Sequence, residues 1–110
     1  MLRLKVISVC VAAIISFPSH AVTAERLYGW LTSDDNSELN FGRAYVVGVA
    51  DVFDRIIGNG SNYCIKLSNV TSTELADIVI EYFVEHPEGK GDPAVVLAKD
   101  ALTNSFPCDK

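Results

Sequence analysis

The apolar and polar positions follow one another most regularly between Asn69 and Pro87, at the spacing of an amphipathic helix. Apolar side chains recur there every three or four residues, which places them on one helical face. These apolar side chains are Leu75, Ile78, Val79, Tyr82 and Phe83. Three acidic side chains, those of Asp77, Glu81 and Glu85, fall on the other side. The pattern therefore predicts a helix with one buried face and one solvated acidic face.

Local signals mark both ends of this helix. Thr71 and Glu74 have the spacing of a capping box, in which each side chain satisfies a backbone N–H of the first turn. Pro87 lacks an N–H and disfavours helical geometry at the preceding residue. We therefore expect the helix to begin just after Thr71 and to end at His86.

Two weaker helical patterns precede the central one. A short helix is predicted from Glu25 to about Thr32, and a longer one from near Ser37 to Ile57. The apolar positions that keep helical spacing in the longer one are Phe41, Tyr45, Gly48, Val49, Val52 and Ile56. Glycine weakens a helix interior, so we expect Gly42 and Gly48 where a neighbouring helix backbone comes close.

A fourth helix is predicted after a polar loop that spans residues 88–92. Asp92 is expected to cap it, with Pro93 at its first position and an end near Asn104. No stretch of the chain shows the alternating pattern of a strand. The sequence thus predicts an all-α fold, a small bundle of about four helices.

The first 24 residues are predicted to be a secretory signal peptide. A basic head precedes the run from Val6 to Phe17, which is apolar apart from two serines, and small residues follow. The run is shorter than the ~20 apolar residues of a membrane-spanning helix, which argues against an anchor. Both Ser19-His20-Ala21 and Val22-Thr23-Ala24 suit signal peptidase. With Ala24 as the boundary, residues 25–110 form one small exported domain without Cys10.

The cysteines that survive cleavage are Cys64 and Cys108. An even pair in a small exported domain indicates a disulfide, which we therefore expect between them. A metal pair or a catalytic thiol would need a nearby histidine or further ligands, and His86 is the one histidine left after cleavage. The disulfide is the simpler interpretation.

Net charge narrows the class of partner. The full chain carries a formal charge of −5, and loss of Arg3 and Lys5 without any acid takes it to −7. An acidic surface argues against nucleic acid and against anionic lipid, since both need a basic patch. It is compatible with a basic protein partner. The alternative is that the charge only keeps an exported protein soluble.

We find no residue pattern for catalysis, for a metal site or for a cofactor. No histidine accompanies a candidate nucleophile, and the carboxylates sit at the helical spacing of a solvated face. The loop Glu88-Gly-Lys-Gly-Asp92 has a proline at each end, and its Glu88, Lys90 and Asp92 are our candidate contacts for a protein partner. The alternative is an ordinary solvent-exposed turn.

Several short motifs occur along the chain in a fixed order. They are Phe41-x-x-Ala-Tyr45-Val-Val-Gly48-Val-x-Asp51, Cys64-Ile65, Val70-Thr71, Tyr82-Phe-Val-Glu-His86-Pro87-Glu88, Pro93-Ala94, Ala101-Leu102 and Phe106-Pro-Cys108. Taken in this order, they resemble the Rap/Tai family of immunity proteins. The resemblance implies a periplasmic protein that neutralises a peptidoglycan amidase effector delivered by type VI secretion, and it suggests a homodimer. Two features depart from the family pattern. A second cysteine pair is replaced near Leu31-Thr32 and Gly42, and Lys66 stands where a proline usually follows Cys-Ile.

Two non-enzymatic functions compete at this point, and an enzyme ranks third behind them. The first is an immunity protein that occludes an amidase by binding. The second is a periplasmic helical module, structural or chaperone-like, that has the same scaffold but no cognate toxin.

Overall fold

A computed structural model of the chain describes residues 21–54, 64 and 69–108. Within them the protein is a four-helix bundle, and every helix contacts the other three. The helices are α1 (Ala24–Leu31), α2 (Asn36–Val52), α3 (Ser72–Glu85) and α4 (Ala94–Ser105), and a 3-10 helix (Pro87–Gly89) follows α3. The all-α prediction is confirmed. The predicted signal run and the predicted end of the second helix at Ile57 lie outside the described residues.

The start of α3 follows the local signal. The Thr71 hydroxyl accepts a hydrogen bond from the backbone N–H of Glu74 at 3.1 Å, which satisfies one N–H that the first turn leaves unpaired. The Glu74 carboxylate accepts from the Thr71 hydroxyl at 3.2 Å, whereas the predicted capping box has it accept from the backbone. At the other end α3 stops at Glu85 with His86 as the C-cap, as Pro87 requires.

The core lies where α3 and α4 face α1 and α2. Its fully buried large side chains are Leu27, Val46, Leu75, Val79 and Leu102. On α3 the buried positions are Leu75, Ala76 and Val79. The predicted buried face is therefore correct at Leu75 and Val79. Its remaining members are only partly buried and pack against the edge of the core; they are Ile78, Tyr82 and Phe83.

The buried residues of α2 differ from the apolar positions that keep helical spacing in its sequence. They are Gly42, Val46 and Ala50, whereas Phe41 and Val52 of the spaced positions are 60% and 43% exposed and Tyr45 is partly buried against the core. The physical reason is close approach by α1. A Cβ on Gly42 would lie 3.0 Å from side-chain atoms of both Trp30 and Leu31.

The two glycines of α2 therefore have different surroundings. The expected close approach is confirmed at Gly42. At Gly48 the expectation is wrong. Among the described residues, no neighbouring atom lies within 4 Å of an added Cβ, and Gly48 is exposed.

The predicted cap of α4 is also wrong. The N-cap is Pro93, and no side chain caps the helix. The backbone N–H of Ala94 donates instead to the carbonyl of Val22 at 2.7 Å. A residue far away in sequence thus replaces the local Asp92 cap.

The expected disulfide is present. Cys64 and Cys108 are bonded, with their Cα atoms 5.0 Å apart and a sequence separation of 44. The backbone N–H of Cys64 also donates to the carbonyl of Phe106 at 3.1 Å. The bond ties the chain that precedes α3 to the segment that follows α4.

Candidate functional site

The loop between α3 and α4 is compact and internally hydrogen-bonded. After the 3-10 helix Pro87–Gly89, the N–H of Lys90 donates to the carbonyl of Pro87 at 3.2 Å. The N–H of Asp92 donates to the carbonyl of Gly89 at 3.0 Å. These bonds give the loop a defined shape without any contribution from its charged side chains.

The loop is also braced from outside by the start of α1. The N–H of Ala24 donates to the carbonyl of Asp92 at 2.8 Å, and the N–H of Glu25 donates to the carbonyl of Lys90 at 3.0 Å. First-turn N–H groups have no acceptor inside their own helix, and here the loop carbonyls are the acceptors. The loop and the first helix are therefore held together through their main chains.

The side chains of Glu88, Lys90 and Asp92 are exposed. Two of them share a small cleft of about 120 Å³, which Glu88 and Asp92 line together with residues of α3 and α4. Lys90 is not among the residues that line it. The structure thus brings the two carboxylates of the predicted set together and leaves the lysine to one side.

A tyrosine–histidine pair forms the α3 wall of this cleft. The rings of Tyr82 and His86 stack with their centroids 4.1 Å apart and their planes at 18°. Nδ1 of His86 lies 3.0 Å from the Tyr82 carbonyl. Since a carbonyl oxygen can only accept, Nδ1 is the donor in this contact. The contact fixes the orientation of the ring at the end of the helix.

The electrostatic character of the cleft is acidic. Burial raises the pKa of the Tyr82 hydroxyl above its ordinary value of 10.0, and the carboxylates of Asp100 and Glu88 raise it further. Asp100 also lines the cleft. Its carboxylate lies 3.5 Å from Nζ of Lys99, both side chains being about half exposed, so its charge is only partly compensated. A cationic side chain of a partner would complement this cleft.

Sequence reasoning missed Asp100 and treated His86 as an ordinary helix end. The spacing of four residues between Tyr82 and His86 was a usable signal, because residues at that spacing share a helical face. Asp100 offered no such signal. Its place beside Tyr82 follows from the packing of α4 on α3.

The cleft combines acidic side chains with two stacked aromatic rings. Across the described residues, no group of three or more His, Cys, Asp and Glu side chains could hold a metal ion. In the same part of the chain, no helix is both long and apolar enough to span a membrane. What the cleft offers is a rigid rim of carboxylates beside two stacked rings.

Comparison with known proteins supports the family resemblance of the sequence motifs. No curated protein matches the sequence closely enough to count as a relative. The model of the Rap1a immunity proteins matches residues 23–108. That match takes in all four helices, the braced loop and both disulfide cysteines. The chain therefore belongs to the family of Rap1a immunity proteins.

Proposed function

We propose that this chain is a periplasmic immunity protein that binds and inhibits a peptidoglycan amidase effector of type VI secretion. The observation that carries the proposal is the family match over residues 23–108. An immunity protein acts by binding its effector and needs no chemistry of its own. The lack of a metal cluster among the described residues is compatible with that role.

The loop of residues 88–92 is the proposed inhibitory element. It projects charged side chains while its main chain is held by α1 through the carbonyls of Lys90 and Asp92. Such a segment loses little conformational entropy when it docks, and this favours tight binding. Glu88 and Asp92 would meet basic groups at the rim of an amidase cleft, and Lys90 would meet an acidic one.

An inhibition assay tests the proposal. The mature, oxidised protein is added to each amidase effector of the type VI secretion systems of its source organism, and peptidoglycan hydrolysis is measured. We expect one effector to lose its activity at a one-to-one ratio. If every effector stays fully active beside the folded, oxidised protein, the proposed function is wrong.

A second candidate function rests on an apolar groove. Side chains of α2, together with Val95 of α4, line a groove of about 370 Å³. The α2 residues that line it include Tyr45, Val49, Val52 and Phe53. An open apolar groove suits a chaperone-like module that holds apolar segments of other proteins. Suppression of heat-induced aggregation of unrelated proteins, without inhibition of any amidase, would favour this function over the first.

We also propose that the mature protein forms the homodimer that the resemblance suggests. Sedimentation equilibrium of the mature protein measures it directly.

A further inference from the structure

The two signal peptidase sites leave different first residues on the mature chain. Cleavage after Ala21 makes Val22 the first residue, whereas cleavage after Ala24 makes Glu25 the first residue. Both sites have suitable small residues, so the sequence pattern does not choose between them. The three residues that distinguish the products are Val22, Thr23 and Ala24.

These three residues make main-chain contacts with the start of α4. The carbonyl of Val22 accepts from the N–H of Ala94 at 2.7 Å, and the N–H of Ala24 donates to the carbonyl of Asp92 at 2.8 Å. The pair of bonds forms an isolated antiparallel bridge between Thr23 and Pro93. Because α4 has no side-chain cap, the Val22 carbonyl is what satisfies the N–H of its first residue.

The same residues begin α1. The Thr23 hydroxyl accepts from the N–H of Arg26 at 3.2 Å, and the Thr23 carbonyl accepts from the N–H of Leu27 at 3.0 Å. Thr23 is thus the N-cap of the helix. Ala24 is fully buried in the core, and Val22 packs against it.

Cleavage after Ala24 would remove all of these contacts. It would take away the cap of α1, the carbonyl that caps α4 and a buried alanine. It would also place a new ammonium group at the N-terminal end of a helix, where the helix dipole disfavours positive charge. Cleavage after Ala21 would keep every one of these contacts.

We propose that the mature protein begins at Val22, through cleavage between Ala21 and Val22. The inference rests on the export that is part of the proposed function. Signal peptidase acts on the chain before it folds, so the contacts do not select the bond; they determine which product is a complete domain. The family match agrees, because it begins at Thr23 and so includes two of the three residues.

The first test determines the N-terminus. The full chain is expressed in a Gram-negative host, recovered from the periplasm, and examined by intact mass and by N-terminal sequencing. We expect Val22 as the first residue, and Glu25 would overturn the inference. An uncut chain that starts at Met1 would overturn both the cleavage and the proposed export. A chain that starts at Val22 but inhibits no amidase would support the cleavage and count against the proposed function alone.

The second test compares the stability of the two products. Chains that start at Val22 or at Glu25 are each produced oxidised, and their thermal unfolding is followed by circular dichroism. We expect the shorter chain to melt lower by roughly 10 °C or more, or to fail to fold, since it lacks a cap and two tertiary hydrogen bonds. The matched control is Val22→Ala in the longer chain, which keeps the main-chain bonds and should melt close to the unsubstituted protein. Equal melting temperatures for the two products would overturn the argument from structure.

Discussion

Gly42 and Gly48 lie in the same helix and have opposite surroundings. A Cβ at Gly42 would meet Trp30 and Leu31 at 3.0 Å, whereas one at Gly48 would meet no described atom within 4 Å. Contacts of 3.0 Å are tighter than normal packing, so α1 would have to move away from α2. Gly42 is therefore the residue that allows these two helices to approach.

A pair of substitutions tests this difference. Gly42→Ala and Gly48→Ala share the same gain in helix propensity, up to about 1 kcal/mol. We expect Gly42→Ala to be the less stable of the two by about 1–3 kcal/mol, because only it introduces overpacking. Urea denaturation measures both variants. Equal stabilities would show that α1 can move aside without cost.

Tyr82 is the residue whose titration reports on the acidic cleft. Its pKa is raised by burial first, and then by Asp100 and Glu88. We therefore expect the double variant Glu88→Gln, Asp100→Asn to lower the pKa of Tyr82 part of the way toward 10.0. Phenolate absorbance or NMR titration against a Tyr82→Phe reference gives the value. An unchanged pKa would mean that neither carboxylate acts on the hydroxyl.

The raised pKa of Tyr82 also makes the stability of the protein depend on pH. The raised pKa means that the folded state keeps the phenol proton more strongly than the unfolded state. The contribution of Tyr82 is thus fully present below the unfolded pKa of about 10, and it is lost as the pH rises through the folded pKa. Tyr45, whose pKa is also raised by burial, acts in the same direction.

At the scale of helices, the disulfide determines how the second half of the chain is held. It closes a loop of 44 residues that contains α3, the braced loop and α4. Closure of a loop of that length removes conformational entropy from the unfolded chain. The expected stabilisation is about 4 kcal/mol by the chain-entropy model, a large share of the stability of so small a domain.

The double variant Cys64→Ser, Cys108→Ser measures this contribution without leaving a lone thiol. We expect its free energy of unfolding to fall by about 4 kcal/mol under conditions where the parent remains oxidised. Reduction of the parent with dithiothreitol serves as the control and should give a similar loss. A loss in the variant alone would indicate that the serines disturb the packing.

At the scale of the whole molecule, two acidic surfaces within the described residues are candidates for partner binding. One is the cleft with Glu88, Asp92 and Asp100. The other is the exposed face of α3 that carries Asp77, Glu81 and Glu85. Either surface could steer a basic partner toward the protein, so net charge alone does not say which one inhibits.

Matched double variants separate the two surfaces. Glu88→Gln with Asp92→Asn, and Asp77→Asn with Glu81→Gln, each remove two exposed carboxylates, so both change the net charge equally. We expect the loop pair to weaken the affinity for the inhibited amidase by roughly tenfold or more, equivalent to ~1.4 kcal/mol. The α3 pair should change it much less, and calorimetry measures both. The reverse ranking would place the inhibitory surface on α3.

Lys90 needs a variant of its own, because it does not line the cleft. Its side chain is exposed and only its carbonyl holds α1. Lys90→Gln should therefore leave the melting temperature unchanged. A loss of affinity in this variant would place the lysine at the interface.

Features with local causes could be predicted from the sequence alone. The ends of α3 follow from Thr71 and Pro87, since a cap and a missing N–H act within one helical turn. The disulfide between Cys64 and Cys108 follows from a count, because cleavage would leave no other cysteine. The all-α class follows from the spacing of apolar residues, which is itself a local property.

Features that depend on distant partners were decided by the tertiary structure. The inward face of α2 is set by α1, which packs on Gly42, although the apolar spacing of α2 favoured another face. The start of α4 is capped by Val22, about seventy residues earlier in the chain, and no local rule anticipates such a cap. The acidic cleft is completed by Asp100 only when α4 packs beside Tyr82. Sequence patterns describe interactions within a few residues, whereas these contacts exist only after the four helices have packed together.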